Sequence, residues 1–442
     1  MHRLHLSLLV AVLVTSSVAC GSEPRPPQPA PDTGTSAEAL RAAAADTGVT
    51  LAEVSRTRVA GDVFHYALTV QVGPTPNARL RVHRVVREGP GARPGGGVLL
   101  MHGDFATFVT HFAPSLGSPA GPSAGLATHL AEQGLDVWGF DRRWTLAAAG
   151  ADVSDFADMG YAQELQDTRR VLAFARAVRL LTLRRDEPLH LGGFSRGAHL
   201  AYAYASQEAA RPQAERHVKG LVVLDMYAEL DPAETALRAA ACARRDEGRA
   251  TLEAGALHVD NTFFGALGTL AREAPDAESP LFPGTTNRGA MLFTVARTFL
   301  FFTATPAYHL ASAHLDADGN PTALRESSED AITAWLAGAP PLQSLRETVE
   351  GDALWCGEGP LPVTISLPSI RVPLLYVGAA GGYGHSGLYS TQRVGSTDVT
   401  TRVVQRFGPG GEAEDFGHVD LLYAQDAREL AWAPVAQWLL AR

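Results

Sequence analysis

From Val59 the chain alternates apolar and polar positions through "VFHYALTVQV" and then "ARLRVHRVV". Such a period of two marks half-buried strands. The following "GGVLLMHG" is wholly apolar, which marks a central strand buried on both faces. The period then lengthens. "SAGLATHLAEQG" reads as a helix, "LDVWGFDRR" as a strand, and "YAQELQDTRRVLAFARAVRLL" as a long amphipathic helix. "PLHLGGF", "SRGAHLAYAYASQEAA" and "VKGLVVLDMY" continue as strand, helix and strand. Strands alternating with helices predict an α/β fold with a mostly parallel, doubly wound sheet covered on both faces.

After Asp225 this rhythm stops, and the next convincing strand is "RVPLLYVGAA". A gap of roughly 145 residues far exceeds a simple connection and must hold structure of its own. Its apolar "GAMLFTVARTFLFF" and serine-capped "SSEDAITAWLAG" predict helices. The expected organisation is a core over residues 51–225, a helical lid over 226–370 between the sixth and seventh strands, and a core completed by 371–442. "TTRVVQRFG" supplies the last strand and "DARELAWAPVAQWLLAR" the closing helix.

Residues 1–20 read as an export signal: a weakly basic start, a short apolar run from Leu6 to Val14, and small residues before Cys20. "SVACGS" is similar to a bacterial lipobox, with Ser17 standing where leucine is usual, so Cys20 is the expected site of a lipid anchor to the membrane. Residues 21–50, rich in Pro, Ala, Ser and Thr, are expected to be a tether.

The remaining composition narrows the partners. Among 442 residues, 46% are hydrophobic and 19% charged, with a net charge of −10. That balance fits a globular core and argues against a nucleic-acid partner, which needs clustered Arg and Lys. Beyond Cys20 only Cys242 and Cys356 occur. In an exported protein the two are expected to pair as a disulfide. No paired Cys or His spacing points to a metal, and no cofactor is expected. "LDADGNPTALRESS" has the proline and glycine wrongly placed for a calcium loop and lacks its closing glutamate, so it reads as a turn.

The candidate chemistry centres on "LHLGGFSRGAHL". Strand, then Gly-x-Ser-x-Gly, then helix is a nucleophile elbow, which presents Ser195 at the carboxyl end of the sheet. The base expected to serve it is His418 in "DFGHVDLLYAQDA", after the last strand. The backbone N–H groups of Arg196, next to the serine, and Asp104, after "LLMHG", are the expected oxyanion donors. Phe105 is the alternative to Asp104. His102 and Gly103 close the strand.

These segments, with "GLDVWGFDRR" and "DVSDFADMGYAQELQDTRRVLAFAR", resemble the α/β-hydrolase superfamily, and most of all its acid-lipase-like branch. The resemblance covers roughly residues 55–225 and 370–442, and not the lid. It implies hydrolysis of a small-molecule or lipid ester through an acyl-enzyme, with Ser195 attacking and His418 moving the proton. In that branch the triad acid follows the strand before the last, but here that loop, "VGAAGGYGHSG", holds no carboxylate. Asp225, at the end of "GLVVLDMY", is the expected replacement, since the carboxyl ends of parallel strands share one edge and some α/β hydrolases carry the acid there. Its carboxylate is expected roughly 2.6–3.2 Å from His418 Nδ1. Asp398 is the chief rival, at the wrong end of the last strand; Asp420 follows His418 too closely. A peptidase with the same triad, and a catalytically silent surface-binding protein, are the competing functions.

Overall fold

In the computed structural model the described residues are 37–442 except 90, 91, 93, 117–124, 302–304 and 306. The expected export signal, Cys20 and most of the tether lie outside them.

The strands are β1 (Thr50–Ala60), β2 (Val63–Gln71), β3 (Arg79–Arg87), β4 (Gly97–Met101), β5 (Asp136–Asp141), β6 (Leu189–Phe194) and β7 (Val218–Leu224). Four short ones follow: β8 (His258–Asp260), β9 (Ala313–Leu315), β10 (Pro321–Leu324) and β11 (Leu342–Ser344). Last come β12 (Leu374–Ala379) and β13 (Val399–Val404). The central sheet runs β1-β2-β3-β5-β4-β6-β7-β12-β13. Its first three pairings are antiparallel and the other five parallel.

Side-chain alternation explains why the central strands read as unbroken apolar runs. On β7, Leu221 and Val223 enter one core while Val222 and Leu224 enter the other. On β4, Leu99 and Met101 face one side and Val98 and Leu100 the opposite side. Both faces of the sheet are therefore dry, covered on one side by the helices Tyr161–Leu183 and Arg196–Glu208 and on the other by Gly125–Glu132 and the C-terminal helix Ala433–Leu440.

Two expectations are corrected. The tether does not extend to residue 50, because Ala37–Asp46 is a helix that buries Leu40, Ala43 and Ala44. Those three lie at helical spacing within an alanine-rich stretch of high helix propensity. The chain then enters β1, an edge strand that the polar "TLAEVSRTRVA" conceals. This extra strand places the insertion between the seventh and eighth strands of the central sheet rather than the sixth and seventh.

The insertion, residues 226–370, holds five helices of eight residues or more among the described residues. It is not purely helical: β8 pairs with β11, and β9 with β10, as two small antiparallel sheets. The β9–β10 turn closes on Asp316, whose carboxylate accepts from the backbone of Asp318 and Asn320. Helices Thr235–Glu253 and Leu345–Cys356 are joined by a Cys242–Cys356 disulfide.

That disulfide closes a sequence separation of 114 residues. In the chain-entropy account such a crosslink contributes roughly 4–5 kcal/mol. Replacing both cysteines by alanine should lower the thermal midpoint by several degrees. The native chain should resist alkylation at Cys242 and Cys356 until reduced; alkylation of both without reductant, read by intact mass, would refute the bond.

Candidate active site

Because β4, β6, β7, β12 and β13 are parallel, their carboxyl ends share one edge, and the loops there bring distant residues together. Ser195 follows β6 directly, with φ +56° and ψ −128°. This left-handed conformation is costly for a residue with a Cβ and persists only where the surroundings enforce it. Here the Ser195 N–H donates to Leu224 O at 3.1 Å, tying the elbow to the end of β7. Glycines are required on both sides, since a Cβ on Gly193 would overlap the Gly197 backbone and one on Gly197 would overlap the Met101 carbonyl.

Asp225 follows β7 directly, also left-handed at φ +48°, and is fully buried. Its Oδ2 lies 2.6 Å from His418 Nδ1. Its Oδ1 accepts from Ala379 N at 2.8 Å, and Tyr383 N bridges both oxygens at 3.1–3.2 Å. The loop after β12 thus supplies N–H donors to the carboxylate instead of a carboxylate of its own. Gly382 is where that loop passes over Asp225, and a Cβ there would overlap Oδ2.

His418 is nearly buried and stacks on Phe194, with centroids 4.4 Å apart. Its backbone N–H donates to His309 O at 2.9 Å, and Val419 N donates to Leu310 O at 2.8 Å, so the insertion holds the histidine loop. Tyr308 and Tyr383 pack about the same ring. Asp420 is pinned elsewhere, accepting from Gly417 N, Ser312 N and the Ser327 hydroxyl. Asp398 lies at the far end of β13 and forms an exposed pair with Arg442. The structure therefore brings Ser195, Asp225 and His418 to one edge through the Ser195–Leu224 and Phe194–His418 contacts. No hydrogen bond joins the Ser195 hydroxyl to His418 among the described residues.

The loop after β4 abuts the elbow: a Cβ on Gly103 would stand 2.8 Å from Ser195 Cβ. Phe105 in this loop is a third left-handed residue, at φ +54°. Gly103 N is taken by His111 Nδ1 at 3.1 Å. Neither Arg196 N nor Asp104 N has an acceptor among the described residues. The Asp104 carboxylate is turned aside, accepting from Gln343 Nε2 at 2.8 Å and Arg196 Nε at 3.3 Å. Arg196 itself lies buried, its guanidinium 4.5 Å over the Trp355 ring. Burial, and next the adjacent Arg142 cation, push His102 down to about 3, so it is neutral.

Several of these partners were invisible in sequence. Gln343, Glu347 and Trp355 come from the insertion, more than 140 positions after Ser195, with no motif around them.

Glu164 lies close by, fully buried, with Oε2 unpartnered among the described residues. Burial, and next the Glu347 carboxylate, raise it well above the ordinary value of 4.5. Glu347 has the Arg142 guanidinium and the Trp144 N–H, so Glu164 is the one that holds a proton. A carboxyl raised in the native state contributes stability below its unfolded value and loses it as pH rises through its native value. Glu164→Gln should therefore flatten the fall of the thermal midpoint as pH rises above the ordinary carboxyl range. Parallel curves for the two proteins would contradict this. Separately, Gly382→Ala should cost activity by about 100-fold or more by displacing the Asp225 carboxylate; unchanged turnover would show that the loop yields.

No family model matches the chain, and no curated protein matches it in sequence. Solved structures do. A Sulfolobus solfataricus protein provisionally named a lipase is 16% identical, with a TM-score of 0.59 over 88% of this chain and 98% of that one. A soluble variant of monoglyceride lipase from Saccharomyces cerevisiae, in complex with a substrate analogue, is 14% identical, with a TM-score of 0.42 over 88% of this chain and 94% of that one. An alpha/beta hydrolase fold protein from Nakamurella multipartita is 13% identical, with a TM-score of 0.39 over 85% and 99%. With its strand order, parallel edge and left-handed turn after β6, the chain has the α/β-hydrolase fold.

Proposed function

We propose that the protein is an exported serine hydrolase of carboxylic esters. The observation that carries this reading is the buried Asp225–His418 pair at 2.6 Å, set beside a serine on a left-handed elbow. An aspartate on Nδ1 holds the imidazole with Nε2 free to accept a proton, which is what a hydroxyl nucleophile requires. In this reading Ser195 Oγ attacks the ester carbonyl as His418 takes its proton. The N–H groups of Arg196 and Asp104 receive the developing oxyanion. His418 then protonates the departing alcohol, and water repeats the cycle on the acyl-enzyme. The lipase name borne by the similar Sulfolobus solfataricus structure supports an ester as substrate.

The export signal at residues 1–20 and the Cys242–Cys356 disulfide support an oxidising compartment. Cys20 is the proposed lipid attachment site. Cys20→Ala should then move the protein from the membrane to the soluble fraction, and an unchanged distribution would refute the anchor.

Ser195→Ala should lower ester turnover by roughly four to six orders of magnitude, with little change in thermal midpoint. Asp225→Asn should cost about 10⁴-fold, while Asp398→Asn should do little. A panel of chromogenic esters of graded acyl length, beside aminoacyl anilides, reads out the activity. Hydrolysis of the anilides alone would replace the esterase reading with a peptidase, and turnover that survives Ser195→Ala would sink the nucleophile.

A further inference from the structure

The peptide between Gly103 and Asp104 carries the N–H group proposed above as an oxyanion donor, and its carbonyl is held from two sides. Arg142 Nη2 donates to Gly103 O at 2.6 Å and to His102 O at 3.3 Å. His102 Nδ1 lies 2.8 Å from the same Gly103 oxygen. An acceptor oxygen there requires Nδ1 to carry the proton, and His102 Nε2 correspondingly accepts from Arg142 N at 3.4 Å. No cis bond occurs among the described residues, so this peptide is trans. Fixing its carbonyl toward Arg142 therefore sends the Asp104 N–H the opposite way. A charge-assisted bond to the carbonyl also polarises the peptide and strengthens its N–H as a donor.

Arg142 is in turn held by the insertion. Its Nη1 pairs with Glu347 Oε1, and both side chains are buried, at 1% and 0% exposure. The other oxygen of Glu347 accepts from Trp144 Nε1 at 2.8 Å. Glu347 lies in the first turn of helix Leu345–Cys356, which Ser344 caps and the disulfide ties to Thr235–Glu253. From the preceding β11, Gln343 reaches the Asp104 carboxylate. Further along the same helix Trp355 covers Arg196. The residues on both sides of the proposed oxyanion position are thus braced by one stretch of the insertion.

We infer that Arg142 and Glu347 form a positioning relay, through which the insertion sets the direction of the Asp104 N–H and so completes the oxyanion site. The inference rests on the ester-hydrolase reading. Neither residue touches the reacting atoms. Their effect belongs to the transition state, because the N–H is needed most when charge develops on the acyl oxygen.

The test compares the parent with Glu347→Gln and with the double variant Arg142→Met/Glu347→Met. Removing one partner leaves a buried charge, whereas replacing both with apolar groups is often neutral for folding. The probes are an alkyl fluorophosphonate, which labels an activated serine, and p-nitrophenyl butyrate. The double variant should fold with a midpoint near the parent's. Its phosphonylation rate and kcat should fall by about 10- to 100-fold, while KM stays within about threefold. Glu347→Gln keeps the shape and should show a smaller loss of the same kind. Rates within about threefold of the parent's in both variants, with the parent labelled at Ser195, would overturn the relay alone. So would a loss carried by KM with kcat intact. A parent chain that is not labelled at Ser195 would overturn the hydrolase reading, and the relay with it.

Discussion

The carboxyl edge of the sheet is organised around one buried contact, that of the Asp225 carboxylate with the His418 imidazole. An ionised carboxylate removed from water costs several kcal/mol unless its lone pairs are met. Asp225 is met by Ala379 N, Tyr383 N and His418 Nδ1 together. Those donors dictate the neighbourhood. The loop after β12 must turn its backbone inward, which is why it is glycine-rich and why Gly382 stands where a side chain would collide. The histidine must be held while its ring stays clear, and backbone carbonyls of the insertion, at His309 and Leu310, do this.

Strain collects at the same edge. Of the five non-glycine residues with positive φ among those described, Phe105, Ser195 and Asp225 end or follow β4, β6 and β7. Each costs on the order of 1–3 kcal/mol. The burial of β4, β6, β7 and β12 on both faces offsets this, because the strands cannot shift to relax their ends without opening a packed core. Rigid strands and strained ends are two aspects of one arrangement: the first makes the second sustainable.

The core strands and the serine turn were legible because each depends on local pattern. An apolar run, a Gly-x-Ser-x-Gly turn and a strand-terminal aspartate are each read from a few consecutive residues. The location of Asp225 was readable by elimination, since the loop after β12 held no acid. The edge strand β1 was missed because an edge strand needs little apolar alternation, and "TLAEVSRTRVA" has little. The helix Ala37–Asp46 was hidden by the proline-rich stretch before it. The bracing of the loop after β4 was beyond reach for a different reason. Glu347 and Gln343 act on Arg142 and Asp104 across more than 200 positions, and nothing in either segment announces the other.

Asp104 shows why that bracing matters. A carboxylate beside a developing oxyanion would oppose it: two like charges about 4 Å apart repel by roughly 4 kcal/mol at an effective dielectric near 20. That is enough to cancel a hydrogen-bond donor. Here the carboxylate faces Arg196 Nε and Gln343, with Arg142 Nη2 at 3.8 Å, and Arg142 is itself balanced by Glu347. The four charges form two opposed pairs, Asp104 with Arg196 and Arg142 with Glu347. The side chain that sequence alone makes anomalous is thus met by two core arginines, which the insertion in turn holds through Trp355 and Glu347. Were its backbone N–H to serve the proposed reaction, the acidic side chain would not oppose it, because Arg196 and Arg142 balance its charge and the insertion fixes both arginines.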